Sequence, residues 1–278
     1  MFKTILLSID GSTYTDAIID AGIFLAKKLN CHLKVLSVID VRPQDWQASV
    51  GSESIVPIIP ALAPPDDNQE QQSSRIHTTI VEVEKKLSDN GVDFTVETIT
   101  GLPVESICDH ARVADMVIMG IRGEYHIWHS NMIGATLGPV SRQLDRPFLV
   151  VGEHFQQFHH LLIAYDGSPA ASKALAIAGY LGSSLGLKCT LLVLNTKEED
   201  ASGLIREGRE YLKRYEIDCK CIFDSGDTAS KICEHANNSQ IDLIIMGAFG
   251  HSRIHEIFWG STTEKVIKHA ELPVLLIK

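Results

Sequence analysis

Ile241-Asp242-Leu243-Ile244-Ile245-Met246-Gly247-Ala248-Phe249-Gly250 joins an apolar run to two glycines. A run rich in Ile and Leu, without polar alternation, reads as a strand buried on both faces of a parallel sheet. The glycines mark a turn at its carboxyl end, where a missing Cβ lets backbone N–H groups approach a ligand. Nine residues then lead to Gly260-Ser261-Thr262-Thr263-Glu264, which predicts a helix capped by Ser261 in a capping box. Its free N–H groups and positive dipole end would face the turn and favour an anion, with His251, Arg253 and His255 adding positive charge.

The same unit occurs earlier. Ala114-Asp115-Met116-Val117-Ile118-Met119-Gly120 matches Ile241 onward, and Lys3-Thr4-Ile5-Leu6-Leu7-Ser8-Ile9-Asp10-Gly11-Ser12 matches His160-Leu161-Leu162-Ile163-Ala164-Tyr165-Asp166-Gly167-Ser168. Gly101-Leu102-Pro103-Val104-Glu105-Ser106-Ile107-Cys108-Asp109-His110-Ala111 matches Gly226-Asp227-Thr228-Ala229-Ser230-Lys231-Ile232-Cys233-Glu234-His235-Ala236. Arg146-Pro147-Phe148-Leu149-Val150-Val151 corresponds to the closing Leu272-Pro273-Val274-Leu275-Leu276-Ile277. The chain is therefore read as a tandem duplication, with domains at 1–152 and 153–278 and the boundary in 152–159. Helical periodicity over 16–29 and again over 172–185 separates the strands. Strands alternating with helices predict βαβ units and an α/β fold of two doubly wound parallel-sheet domains, with ligands at the carboxyl ends of strands.

The pattern G-x2-G-x9-G-[ST], filled by Gly247, Gly250, Gly260 and Ser261, resembles the ATP-binding signature of the universal stress protein family. The opening strand with Asp166 and the Leu-Pro-Val-Leu-Leu-Ile close are similar to that family too, and the resemblance covers nearly the whole chain because it occurs twice. It implies tandem Rossmann-like domains of the adenine nucleotide alpha hydrolase type, paired through their last strands, 148–151 with 274–277. It also implies a site. Asp166, with Ala164 and Tyr165 before it, would meet the adenosine moiety; Leu194 would form an adenine wall; Met246, Gly247, Phe249, Gly250, Gly260, Ser261, Thr262 and Thr263 would complete the phosphate pocket. The ligand would be ATP, ADP or AMP, with or without Mg.

The first copy departs from the signature. It keeps Asp10, Gly120, Gly123 and Gly134, but ten residues separate Gly123 from Gly134, Ala135 replaces the hydroxyl residue, and Glu124 brings a negative charge. Pro139 suits an N1 position but has no N–H to give. An impaired first site is expected. Between residues 41 and 75 the first copy also carries five of the chain's ten prolines, with an Asp, Asn, Gln and Glu string, and the second copy has no counterpart. This stretch reads as a long loop before a helix over 76–87.

Composition narrows the functions. Hydrophobic residues at 45% and charged residues at 22% are ordinary for a soluble globular protein. A formal net charge of −10 disfavours broad electrostatic binding to nucleic acid. Before Asp10 the N-terminus has only a short apolar run, too short for a signal peptide or membrane span, so a cytoplasmic protein is expected. Cys31, Cys108, Cys189, Cys219, Cys221 and Cys233 fit reduced thiols; Cys219 and Cys221 fall on one side of a strand without further zinc-type ligands. The twelve histidines, including His126, His129, His159, His160, His251 and His255, form no metal frame such as HExxH. No GxGxxG follows either first strand, no Walker-type GxxxxGK[ST] is found, Ser261 lacks a GxSxG elbow, and no carboxylate pair stands beside the turn to hold a metal. The expected function is a nucleotide-binding stress-response or signalling protein with no catalytic residue assigned. A slow ATPase using His251 and a small-molecule carrier or protein-interaction module are the alternatives. An unknown protein partner, an intrachain pseudo-dimer and an optional homodimer complete the expectations.

Overall fold

A computed structural model describes residues 2–41, 67–123, 134–194, 197–238, 240–248 and 260–278, with the side chains of 67–72 outside the description. The first half runs β1 (Thr4–Ile9), α1 (Thr15–Leu29), β2 (His32–Asp40), α2 (Asp67–Asp89), β3 (Phe94–Gly101), α3 (Pro103–Ala111), β4 (Met116–Gly120), α4 (Leu137–Gln143) and β5 (Phe148–Val151). The second repeats it as β6 (His160–Ala164), α5 (Pro169–Leu185), β7 (Lys188–Leu194), α6 (Glu198–Lys213), β8 (Cys219–Asp224), α7 (Thr228–Asn238), β9 (Leu243–Gly247), α8 (Ser261–His269) and β10 (Val274–Ile277).

Local chemistry sets the element ends. Ser168 caps α5, its hydroxyl accepting from the Ala171 N–H at 3.2 Å with Pro169 at the first helical position, and Gly186 ends it at φ 69°. Asn30 gives α1 the same left-handed stop at φ 51°. The duplication extends to single hydrogen bonds. The Asp115 carboxylate accepts the backbone N–H groups of Lys3 and Thr4 at 2.7 and 3.0 Å, and Asp242 accepts those of His159 and His160 at 2.8 and 3.0 Å. Each tethers the start of a first strand to the strand that becomes its neighbour.

All strands join one sheet in the order β3-β2-β1-β4-β5-β10-β9-β6-β7-β8. Among the described strands every pairing is parallel except the central one, where β5 and β10 meet antiparallel with Phe148 opposite Leu276, Leu149 opposite Leu275 and Val150 opposite Val274. The expected pairing of the two last strands is thus present. Strand side chains alternate between two cores: one face packs on α1, α2, α5 and α6, the other on α3, α4, α7 and α8. The halves also meet off the sheet. Phe155 and Phe158, in the connection between β5 and β6, meet Phe24 of α1 in tilted and edge-to-face contacts at centroid distances of 5.8 and 5.5 Å, and Phe2 meets Tyr180 of α5 at 5.6 Å.

Three expectations are corrected. Residues 67–75, read as loop, belong to α2, which begins nine residues before the expected start at 76; the acidic and amide string is built from residues that favour a helix's first turn or propagate it well. Pro139 is the third residue of α4, not the first, with Thr136 at the N-cap; the N–H it lacks is still one of the first-turn orphans. The capping box at Ser261 is not formed, as described below. Residues 42–66, including Trp46, lie outside the described residues.

Candidate functional site

The second half gathers its expected residues at the carboxyl ends of adjacent strands. β6 lies between β7 and β9, with Ala164 in register with Leu192 on one side and Met246 on the other. Ala164, Leu194 and Met246 all belong to the face covered by α7 and α8. Tyr165 prolongs the pairing, its N–H donating to the Leu192 carbonyl at 2.9 Å, but its ring turns to the opposite core. There the hydroxyl donates to Glu207 Oε1 at 2.7 Å, and burial first, then Glu207, pushes the phenol's pKa up. Any ligand contact from Tyr165 in this arrangement comes from its backbone. Asp166 follows, exposed, in a turn with Gly167 at φ 75°, and its Oδ1 accepts the Ser168 N–H at 3.0 Å. Asp10 makes the identical bond to Ser12.

The motif glycines serve different needs. A Cβ on Gly247 would stand 2.8 Å from the Ala171 nitrogen and 2.9 Å from the Ala170 carbonyl carbon, so this glycine lets the end of β9 press against the first turn of α5. Around Gly260 a Cβ would meet nothing within 4 Å among the described residues. Gly260, not Ser261, is the N-cap of α8, with φ −49° and ψ 140° and no side-chain cap hydrogen bond. Glu264, the expected partner in a capping box, instead pairs with Lys268 at 2.6 Å, one turn on. A glycine N-cap offers the first-turn N–H groups no side-chain acceptor of its own, and such N–H groups suit an anion. Ser261 is exposed, Thr262 half-buried and Thr263 buried. Phe249, Gly250, His251, Arg253 and His255 lie outside the described residues.

The first half packs its first motif glycine just as tightly. Tyr14, 1% exposed, lies against Gly120, where a Cβ would come within 2.6 Å of the tyrosine Cβ. Burial pushes its pKa up against the pull of Arg122, and Glu153 adds a smaller push. A Cβ on Gly123 would fall 2.6 Å from Asp10 Oδ2, and one on Gly134 would fall 3.1 Å from the Arg122 Cα. The Gly134 N–H donates to the Ile121 carbonyl at 3.0 Å, drawing the two ends of the intervening segment together.

Two charged groups near the site were missed by sequence reading. Asp224, in register with Leu194, has its Oδ2 2.8 Å from His235 Nε2 and 3.3 Å from Lys231 Nζ. The histidine chiefly, and the Ser225 N–H, lower its carboxyl to about 2. Glu97, His110 and Lys34 form the counterpart in the first half, with Glu97 Oε2 3.2 Å from His110 Nε2 and 3.4 Å from Lys34 Nζ. The matching His110 and His235 were the available signal. On the other side of Asp166 an open cleft of about 700 Å³ is lined by Glu199, Asp200, Glu207, Glu210 and Arg206. Its negative charge suits hydroxyl donors and repels phosphate. Among the described residues no three His, Cys, Asp or Glu side chains are placed to hold a metal, and no helix is long and apolar enough to cross a membrane.

Comparison with known proteins agrees with the duplication. A family model described as the universal stress protein family matches residues 1–152 and 193–278. A universal stress protein of Synechocystis is 28% identical over 290 aligned positions, spanning 99% of this chain and 100% of its own. Another, from Mycobacterium bovis, is 21% identical and spans 99% and 96%. Among solved structures, a universal stress protein from Archaeoglobus fulgidus superposes with a TM-score of 0.77 at 21% identity, covering 99% of this chain and 98% of that one. That likeness shows the same fold across both halves.

Proposed function

Because this chain belongs to the universal stress protein family, we propose that it is a stress-response protein that binds one adenine nucleotide in its second domain and acts as a regulatory binder, not an efficient enzyme. The domains are 1–152 and 153–278, and the ligand is ATP, ADP or AMP, with or without Mg²⁺. Asp166 and the backbone of Ala164 and Tyr165 meet the nucleoside, Leu194 and Met246 wall the base, and Gly247 through Gly250 with Gly260, Ser261 and Thr262 hold the phosphates. One observation supports the reading: the carboxyl ends of β6, β7 and β9 bring Ala164, Leu194 and Met246 to one face of the sheet, the face that α8 covers with Gly260 at its N-cap. Backbone amides that cradle phosphates alike in ground and transition states tighten binding without raising the rate.

Calorimetric titration with ATP and AMP tests the proposal, with one site per chain expected. Gly250→Val abolishes binding, since a β-branched side chain blocks the phosphate approach, while Gly123→Val leaves it in place. With saturating ATP and Mg²⁺, turnover stays well below about one per second, under the ordinary enzyme range. Faster turnover that is lost in His251→Ala would make the chain an ATPase, and no binding of either nucleotide at millimolar concentration would favour the carrier reading.

A further inference from the structure

The cysteines that sequence reading placed on one side of a strand have a third neighbour. β7 and β8 run parallel with Cys189 in register with Cys219, and their Sγ atoms are 3.2 Å apart. Both are buried on the face covered by α6, with half-buried Cys221 beside them. Registered strand neighbours stand about 4.8 Å apart, inside the Cα span of about 4.4–6.8 Å that disulfides use. The sulfurs need to close by only about 1 Å to reach bonding distance, within reach of side-chain rotation. β8 is the outermost strand of the sheet, so small openings of α6 expose the pair.

The two thiols are not equivalent. Cys219 is held below its usual range chiefly by the hydrogen bond with Cys189, with Cys221 and the Arg209 charge assisting against burial. That same bond, with burial, pushes Cys189 up. One sulfur is thereby biased toward thiolate, the nucleophilic form, beside another that keeps its proton.

We propose that Cys189 and Cys219 form a peroxide-oxidised pair that closes to an intrachain disulfide fastening β8 to β7. The Cys219 thiolate attacks one oxygen of hydrogen peroxide; the O–O bond breaks, and the departing hydroxide takes a proton from solvent to become water. Cys219 is then a sulfenic acid. The Cys189 sulfur attacks it, the S–S bond forms as the S–O bond breaks, and the leaving hydroxide carries off the Cys189 proton as a second water. The two sulfurs give up two electrons in total and the peroxide is reduced to two waters. Cys189 is at the start of β7 and Leu194 at its end, so the pair stands away from the nucleotide residues.

The test uses the whole chain, dilute, treated with a modest excess of hydrogen peroxide, alkylated and digested with trypsin without reductant. Lys220 separates Cys219 from Cys221, so peptides 189–197, 215–220 and 221–231 report the three thiols individually. The expected result is a cross-link between 189–197 and 215–220, reversed by dithiothreitol, with two fewer of the six thiols titrating. In Cys189→Ser the cross-link is lost and Cys219 advances to sulfinic acid, whereas Cys233→Ser behaves as the parent. Recovery of Cys189 and Cys219 in alkylated form overturns the proposal, as does a cross-link through 221–231 or between chains.

Discussion

Gly247 and Gly260 are the first and third glycines of one motif, and among the described residues only the first is wedged against backbone. Gly247→Ala forces its new methyl group into the start of α5, where neither the Ala170 carbonyl carbon nor the Ala171 nitrogen can rotate away. Urea unfolding is expected to show a loss of about 1–3 kcal/mol, the range for overpacking a close contact. Gly260→Ala meets no described residue within 4 Å, at an N-cap φ of −49° that any residue tolerates. Its stability should fall by about 1 kcal/mol or less, the ordinary penalty of alanine in place of a capping residue. An equal loss in both variants would show that Gly260 is packed. Residue spacing made both glycines visible, yet it could not tell that Gly247 packs on the start of α5, because that contact lies in what the fold brings opposite. Tyr14 is the counterpart: its place in the sequence, just after the Asp10-Gly11-Ser12 turn, gave no sign that its ring would cover Gly120.

Elements were legible where one period dominated and less so at their ends. The apolar runs of β1, β4, β6 and β9 and the helical stripes of α1 and α5 stood out because each carries a continuous buried apolar face. α2 was read short because its first turns carry no apolar stripe, and the cap of α8 was displaced because a hydroxyl residue beside a glycine outweighed it in sequence. The edge strand β8 and helix α7 share a device that only proximity reveals, the Asp224, His235 and Lys231 group. Asp224 sits at about 2 in the folded chain, against about 3.9 in an unfolded one. A lowered folded pKa adds stability that is present above the unfolded value and is lost as the pH falls through the folded one. The β8–α7 junction should therefore loosen between about pH 4 and pH 2. NMR titration checks this, and in His235→Ala the Asp224 midpoint should move back up toward the ordinary range. An unmoved midpoint would assign the shift to the Ser225 N–H instead.

At the scale of the whole molecule, the duplication was the most legible feature, because matched stretches such as 101–111 and 226–236 declare it without any structural knowledge. The seam between β5 and β10 makes the two copies one body. Leu275 lies opposite Leu149, 1% exposed, at the middle of the sheet. Leu275→Ala should cost about 2–5 kcal/mol, as buried leucine truncations do. Hydrogen exchange should show β4 and β9 losing protection together, although the substitution lies in the second half alone. Loss confined to β9 would mean that the halves unfold separately. The seam has one further consequence. Within each half the strands run the same way, and across the antiparallel seam the direction reverses, so the carboxyl ends of the two halves open toward opposite poles of the molecule. A duplicated chain built this way has a head and a tail. A nucleotide held in the second half as proposed would therefore face a partner approaching from one direction, and a partner approaching from the other would meet the end of the first half.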